Sequence, residues 1–350
     1  MTSTAAARHK PPVCDGCPKQ GKGFLWTIGH KDAKLLFLLE TTNDDFLDGL
    51  PVSGKLGLKF QQWLTKAGIN ETSCAFANIT FCYGGDAGYC RTAHVEPWLR
   101  GHTEKRVIVP VGLMATQALL GRTQSGMFGV VQGGSLASSA DDPPIVVLPI
   151  LSPAEVMKGR WSEEPAQIEY LKHARDLAKL EDPRSGIRSF GEPPEGIAGY
   201  CATPTLCDLQ SWRGNLLLSE PVAVDIETAG EHIRLVGLYS HRAGYLAFPI
   251  RVAGGGAYWD TDTFPRAVEW LWDFLSDPGV GKVFHNGAAF DIPMLERSGF
   301  EVNGYVFDTM LAMHVAYPGV PKGLLDLAKV HLRSGNWKAM VKDETLGEGK

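Results

Sequence analysis

Nowhere does this 350-residue chain approach the ~20 consecutive apolar residues a membrane-spanning helix needs, so no membrane is expected among its partners. Its first ten residues, "MTSTAAARHK", lack the hydrophobic stretch of a secretory leader, which sets the expectation of a reducing cytoplasm, bacterial in type. Positive charge is also scarce. A net charge of -5 argues against coating nucleic acid by charge alone. Cysteine is rare, with seven in the chain, and in a reducing compartment such cysteines serve as metal ligands more often than as disulfides. No internal repeat is visible. What remains, 44% hydrophobic and 21% charged residues, describes a globular chain long enough for two domains with separate cores.

The charge is unevenly placed. Up to Asp182 there are about 19 basic and about 19 acidic residues, whereas from Leu217 onward about 12 basic face about 17 acidic. An acidic surplus of this kind is either a solvated surface or a carboxylate cluster awaiting divalent cations.

Apolar runs and periodicity predict strands over 33–40, 74–82 and 143–151, a strand–turn–helix over 106–121, and helices over 57–69 and 163–180. Strands alternating with helices imply a parallel sheet covered on both faces. The stretch 181–199 is rich in Pro, Gly and charge without periodicity and is expected to be a linker. Beyond it come a short helix, three strands in "PVAVDIET", "IRLVGLYS" and "GYLAFPI", a helix over 264–277, a strand over 281–286 and a helix over 290–300. This second half is expected to begin antiparallel.

In "VAVDIETAG", Asp225 and Glu227 stand two positions apart, so a strand points both to one face. Adjacent carboxylates raise each other's pKa unless a cation sits between them. Asp291 opens a helix just past Asn286 in "VFHNGAAFDIPML", where helix capping alone could account for it. With "FDTML" (307–311) following, the pattern from Thr203 onward resembles the 3′–5′ proofreading exonuclease domain of family A DNA polymerases, a branch of the DEDD nucleases. The form H-N-G-x-x-F-D is similar to that of phage replicative enzymes. The resemblance implies that Asp225, Glu227 and Asp291 bind two Mg²⁺ or Mn²⁺ ions, that Asn286 holds the substrate end, and that Asp308 is structural. The family closes its site with a Y-x-x-x-D helix. Here no Tyr follows Tyr317, so the expectation is an incomplete site, in a truncated or impaired nuclease.

The first half carries "C-x-x-C" at Cys14 and Cys17, which alone fits a metal site, thiol–disulfide chemistry or half an iron–sulfur cluster. Together with "ANITFC", "VIVPVGLMATQALLG" and "LSPAEVMKG", it resembles the iron–sulfur uracil-DNA glycosylases called family 4, over roughly Cys14 to Leu180. The resemblance implies Cys14, Cys17, Cys82 and Cys90 as ligands of a 4Fe-4S cluster, with four-Cys zinc as the alternative. The interval from Cys82 to Cys90 is shorter than the family's, leaving Cys74 as a competing ligand; Cys201 and Cys207 are expected to lie outside the site. Asn78 aligns with the base-reading Asn and Glu40 with the acid of the substrate loop. Three features depart: the loop is "LETTNDD" without glycines, Val52 replaces a stacking Phe, and Ser152 stands where a His is expected.

The expected fold is α/β in two domains. A parallel-sheet α/β/α glycosylase-like domain with an iron–sulfur cluster (1–181) is joined by a linker (182–202) to an RNase H-like mixed-sheet exonuclease domain (203–350). The expected function is a replication protein, the N-terminal part of a phage-type family A polymerase. It would bind DNA as a single-stranded 3′ end or primer–template, with replisome proteins as further partners. The competing expectations are a uracil-DNA glycosylase whose second domain only grips DNA, and a non-catalytic DNA-binding replisome module.

Overall fold

The structure, a computed structural model, describes residues 10–40, 42, 45, 49–102, 106–121, 127–134, 144–187, 199–252, 256–318 and 320–333. The chain divides into two compact units, Met1–Phe190 with Gly319–Lys350, and Gly191–Pro318.

The first unit runs β1 (Ile28–Gly29), β2 (Leu35–Leu39), α1 (Gly54–Lys66), β3 (Ala75–Asn78), α2 (Ala87–Cys90), a π-helical turn (Arg91–Val95) and α3 (Glu96–Arg100). It continues through β4 (Val107–Val111), α4 (Leu113–Leu120), β5 (Gln132–Gly134), β6 (Ile145–Val147), α5 (Pro153–Met157) and α6 (Glu164–Leu177). The sheet order is β1-β3-β2-β4-β6-β5. Strands β2 and β4, "LLFLL" and "VIVPV", are buried along their whole length because both faces are covered. Leu35, Phe37 and Leu39 pack with Phe60 and Trp63 of α1 and Tyr170 and Leu171 of α6. Leu36 and Leu38, pointing the other way, pack with Val95, Leu99, Ala115 and Leu119. The result is an α/β/α sandwich.

Two sequence expectations need correction. The sheet is not wholly parallel: β3, β2, β4 and β6 are, but β1 and β5 pair antiparallel at the edges. Neither edge strand carries an apolar run, β1 having two residues and β5 reading "QGG", so periodicity gave no sign of them. The strand expected over 74–82 ends at Asn78. The chain then turns, and Tyr83 bridges to Lys22, which leaves Cys82 in a loop.

Of the expected linker, Pro183–Gly186 forms a 3-10 turn and Ile187 packs on the first core, while residues 188–198 lie outside the described residues.

The second unit contains β7 (Tyr200–Cys201), α7 (Leu206–Gly214), β8 (Val222–Ala229), β9 (His232–Ser240), β10 (Gly244–Pro249), α8 (Phe264–Ser276), β11 (Lys282–Phe284), α9 (Asp291–Arg297), β12 (Tyr305–Asp308) and α10 (Thr309–Ala316). Its mixed sheet has the order β12-β11-β8-β9-β10-β7. Strands β8, β9 and β10 are antiparallel neighbours, whereas β11 and β12 run parallel to β8. In β8 the alternation is sharp, with Val222, Val224 and Ile226 buried and Ala223, Asp225 and Glu227 exposed. The buried set packs on α8, whose Trp270 and Phe274 rings stack at 5.9 Å.

After Pro318 the chain belongs to the first unit again. There α11 (Leu324–Leu327) leads into a π-helical turn (Ala328–Leu332). Val330 packs on the first core, and Arg333 pairs with Asp176 of α6 at 2.7 Å. The C-terminal stretch "KAMVKDETLGEGK", including Asp343, lies outside the described residues.

Candidate nuclease site and metal centres

Strand β8 carries Asp225 and Glu227, and helix α9 sets a third carboxylate, Asp291, against that strand. Asp225 and Glu227 project from the exposed face of β8. Asp291, at the first residue of α9, is 4% exposed, and its Oδ1 accepts a hydrogen bond from the backbone N–H of Ile226 at 3.2 Å. The buried acid is thereby fastened to the peptide between the two exposed ones. Burial, and next the charge of Asp225, push the Asp291 pKa up to about 6 against the pull of the Ile226 N–H. Crowded hard-oxygen donors of this kind suit Mg²⁺ or Mn²⁺. Among the described residues, no group of three or more His, Cys, Asp or Glu side chains is closed around the position of a single ion.

Asp308 holds the turn next to this site. Its Oδ1 accepts from the N–H groups of Asn286 (3.0 Å), Met310 (2.8 Å) and Leu311 (3.1 Å). Its Oδ2 accepts from Gly287 N–H (2.8 Å) and the Tyr305 hydroxyl (3.0 Å). Burial raises its pKa, but the backbone donors outweigh that and hold the carboxyl below its usual range. Asn286, at φ 65°, occupies the left-handed conformation in this turn.

In the first unit Cys14, Cys17, Cys82 and Cys90 line one recess of about 260 Å³ with Lys10, Gln20, Phe24, Phe81, Tyr89 and His94. Burial, followed by the charges of Cys82, Cys17 and Cys14, pushes Cys90 up to about 11. The donor set fits a soft-metal centre. The backbone makes room for it: a Cβ on Gly85 would stand 2.6 Å from Cys82 Sγ. Cys74 is buried elsewhere and donates to the Asn70 carbonyl at 3.4 Å, while Cys201 and Cys207 belong to the second unit.

A third feature is a cleft of about 420 Å³ at the carboxyl ends of β2 and β4, lined by Glu40, Asp45, Val52, Phe60 and Ser152 among others. Burial leads the upward shift of the Glu40 pKa. Its carboxylate accepts the Met114 N–H at 2.7 Å and crowds Gly112, where a Cβ would lie 2.4 Å from Oε1. Gly112, at φ 103°, has a backbone that favours glycine as well. Asn78 is not among the lining residues. Its Nδ2 donates to Asp45 Oδ2 (3.3 Å) and the Glu40 carbonyl (3.4 Å), and its buried Oδ1 has no partner among the described residues. Ser152 caps α5 in a reciprocal bond with Glu155.

Residues 205–347 match the 3′–5′ exonuclease family of the DNA polymerase A type. The match covers the carboxylate site and runs past Pro318 into the segment that packs on the first unit. Two solved structures are similar at the level of local alignment. One is the POL domain of Pol1 from M. smegmatis in complex with DNA primer-template and dNTP, at 23% identity over 40% of this chain, TM-score 0.31. The chain spans 24% of that polymerase chain's length. The other is the EXD2 exonuclease domain soaked in Mn and GMP, at 23% identity over 37% of this chain and 68% of that one, TM-score 0.24. No curated protein matches.

Sequence reasoning missed several residues around these sites. Asp45 and His94 carried no signal, since neither sits in a spacing that marks a ligand. The Ile226 N–H is a backbone group, invisible by residue type. In the second unit, Asp308 accepts five hydrogen bonds, four of them from backbone N–H groups that its residue type alone did not reveal.

Among the described residues, no helix is long and apolar enough to cross a membrane.

Proposed function

We propose that this chain is part of a phage-type family A replication polymerase, with a 3′–5′ exonuclease unit and a glycosylase-like iron–sulfur unit that contacts DNA without excising bases. The observation that carries the nuclease reading is the seating of buried Asp291 on the Ile226 N–H, between Asp225 and Glu227, within the family match. Two divalent cations held by these acids would supply charge neutralisation at a scissile phosphate and acidify water. Asp225 and Glu227 present oxygens from a rigid strand. Asp291 supplies a carboxylate already destabilised as a neutral-pH anion and so eager for a cation. Asn286, whose backbone N–H is held by Asp308, would hold a 3′-terminal nucleotide.

The four thiols of the recess would hold the 4Fe-4S cluster, whose work is to brace the N-terminal loop and the α2 region. The cleft argues against uracil excision. Asn78 is engaged by Asp45, and Ser152 serves as a helix cap where a base-stabilising His would be needed.

The test is digestion of 3′-labelled single-stranded DNA with Mn²⁺, with and without chelator. This sequence contains no Y-x-x-x-D helix, so trimming by the chain alone is expected to be slow. Supplying such a helix in a longer chain should raise it, and Asp225→Ala should then abolish it. Chelator-insensitive trimming, or full activity in the Asp225→Ala protein, would overturn the assignment.

A further inference from the structure

One side chain of the thiol recess has no role in the reading above. His94 lies on the π-helical turn four residues beyond Cys90, which places both on one face of that helical stretch. Turns of this kind are rare and frequently occur at functional sites. The imidazole is held between rings. It stacks on Phe81 at 4.8 Å and meets Phe24 at 5.4 Å, edge to face. Its Nε2 lies 3.3 Å from Cys14 Sγ.

We propose that His94 tunes the iron–sulfur centre by donating its Nε2–H to the Cys14 sulfur, making the centre easier to reduce. This rests on reading the four cysteines as an iron–sulfur site. A ligating thiolate can only accept, so the ring nitrogen facing it must carry the hydrogen. An electron added to the cluster spreads onto the ligand sulfurs. A donor on sulfur therefore stabilises the reduced form more than the oxidised one. Lys10 lines the same recess, with its ammonium bonded to the Gly21 carbonyl, and acts in the same direction; the Asp15 charge opposes both. Only His94 is within bonding distance of a ligand sulfur among these three.

Cys14 does not depend on the imidazole for its position. Tyr89 donates to the Val13 carbonyl at 2.6 Å and Gln20 to the Cys14 carbonyl at 3.1 Å, so the loop is pinned from both sides. Removing the ring should therefore leave the cluster in place with a changed potential, which a merely structural role would not produce.

The experiment uses the full chain reconstituted with iron and sulfide. Iron and sulfide content are measured first, then the reduction potential in a mediated titration followed by electron paramagnetic resonance. His94→Phe is expected to keep the wild-type iron and sulfide content and to show a more negative potential with shifted g-values. His94→Gln, whose amide can donate, should return toward wild type. If the Phe variant fails to fold, His94→Leu takes its place. Unchanged potential and g-values in the Phe or Leu variant overturn the proposal. So does loss of iron restored by His94→Cys, which would make His94 a ligand. Stoichiometric zinc in the unmutated chain would overturn it together with the cluster reading, and is recognised before any variant is made.

Discussion

The thiol recess of the first unit and the carboxylate site of the second use the same strategy with opposite materials. Both gather like-charged acids and leave them uncomfortable without a cation. In the recess the cost falls on the thiolate form: burial raises the pKa of Cys14 and Cys90, which favours their neutral thiols. In the nuclease site two of the three acids face solvent and one is buried. A centre enclosed by protein suits a structural cluster. One open to solvent on a strand face suits chemistry on an incoming DNA end.

The comparison breaks most visibly at the recess. Four-thiolate centres couple on the order of 10 kcal/mol of metal binding to folding. Cys90→Ser should therefore bleach the brown absorbance and lower the melting temperature of the first unit by many degrees, while hydrogen exchange in β8–β10 stays as it was. Because the Cys90 thiol lies as high as about 11, loading must release protons, and cluster or metal affinity should strengthen as pH rises. Colourless, equally stable variant protein would remove the recess from the metal centres.

At the nuclease site the cost of the buried acid should appear in metal-free stability, in a lower pH window. Asp291 titrates near 6 when folded against ~3.9 unfolded, so the folded state binds more protons between those values. Metal-free stability should therefore fall as pH rises through about 4 to 6 and stay low above it, by about 2–3 kcal/mol. Asp291→Asn keeps an oxygen for the Ile226 N–H and removes the charge facing Asp225. It should raise the metal-free melting temperature of the second unit at pH 8, give no gain at pH 4, and eliminate Mn²⁺-dependent trimming. Equal stability at pH 8 would mean that Asp291 is not strained by its neighbours.

These contrasts were unevenly legible in the sequence. The β8 pair was plain, because period two fixes which residues share a face and the structure exposes both. Long elements such as α1, α6 and α8 followed from their apolar spacing. The edge strands β1 and β5 did not, since their pairing is decided by neighbours and not by their own side chains. Asn78 shows a different limit. Its alignment was visible, but whether it faces a ligand depends on Asp45, a residue that no motif or spacing singled out.

Asp308 sharpens the comparison at an intermediate scale. Asp308→Ala removes five hydrogen bonds and strands the N–H groups of Asn286 and Gly287, a loss of about 2–4 kcal/mol. Urea unfolding of the second unit should show it, with the slope unchanged. A loss below about 0.5 kcal/mol would mean that water replaces the carboxylate at little cost.

The smallest effect concerns backbone strain, which both units place beside their sites. Asn286 sits at φ 65° and Val52 at φ 62°. Asparagine tolerates the left-handed region; a β-branched residue does so at a cost of about 1–2 kcal/mol. Val52 lines the cleft and packs on the first core, so its side chain offsets part of that cost. Val52→Ala would lose the methyl contacts while keeping most of the strain, and should destabilise by about 1 kcal/mol. Val52→Gly loses the same contacts and gains chain entropy in the unfolded state, but is released from the strain. The two terms nearly cancel, so the Gly variant should be as stable as the wild type within about 1 kcal/mol and more stable than the Ala variant. That order reverses the usual one at a half-buried position. Thermal melts of the two variants decide it: Ala above Gly would show that the Val52 backbone stores no strain, and that the two sites differ in conformation as well as in chemistry.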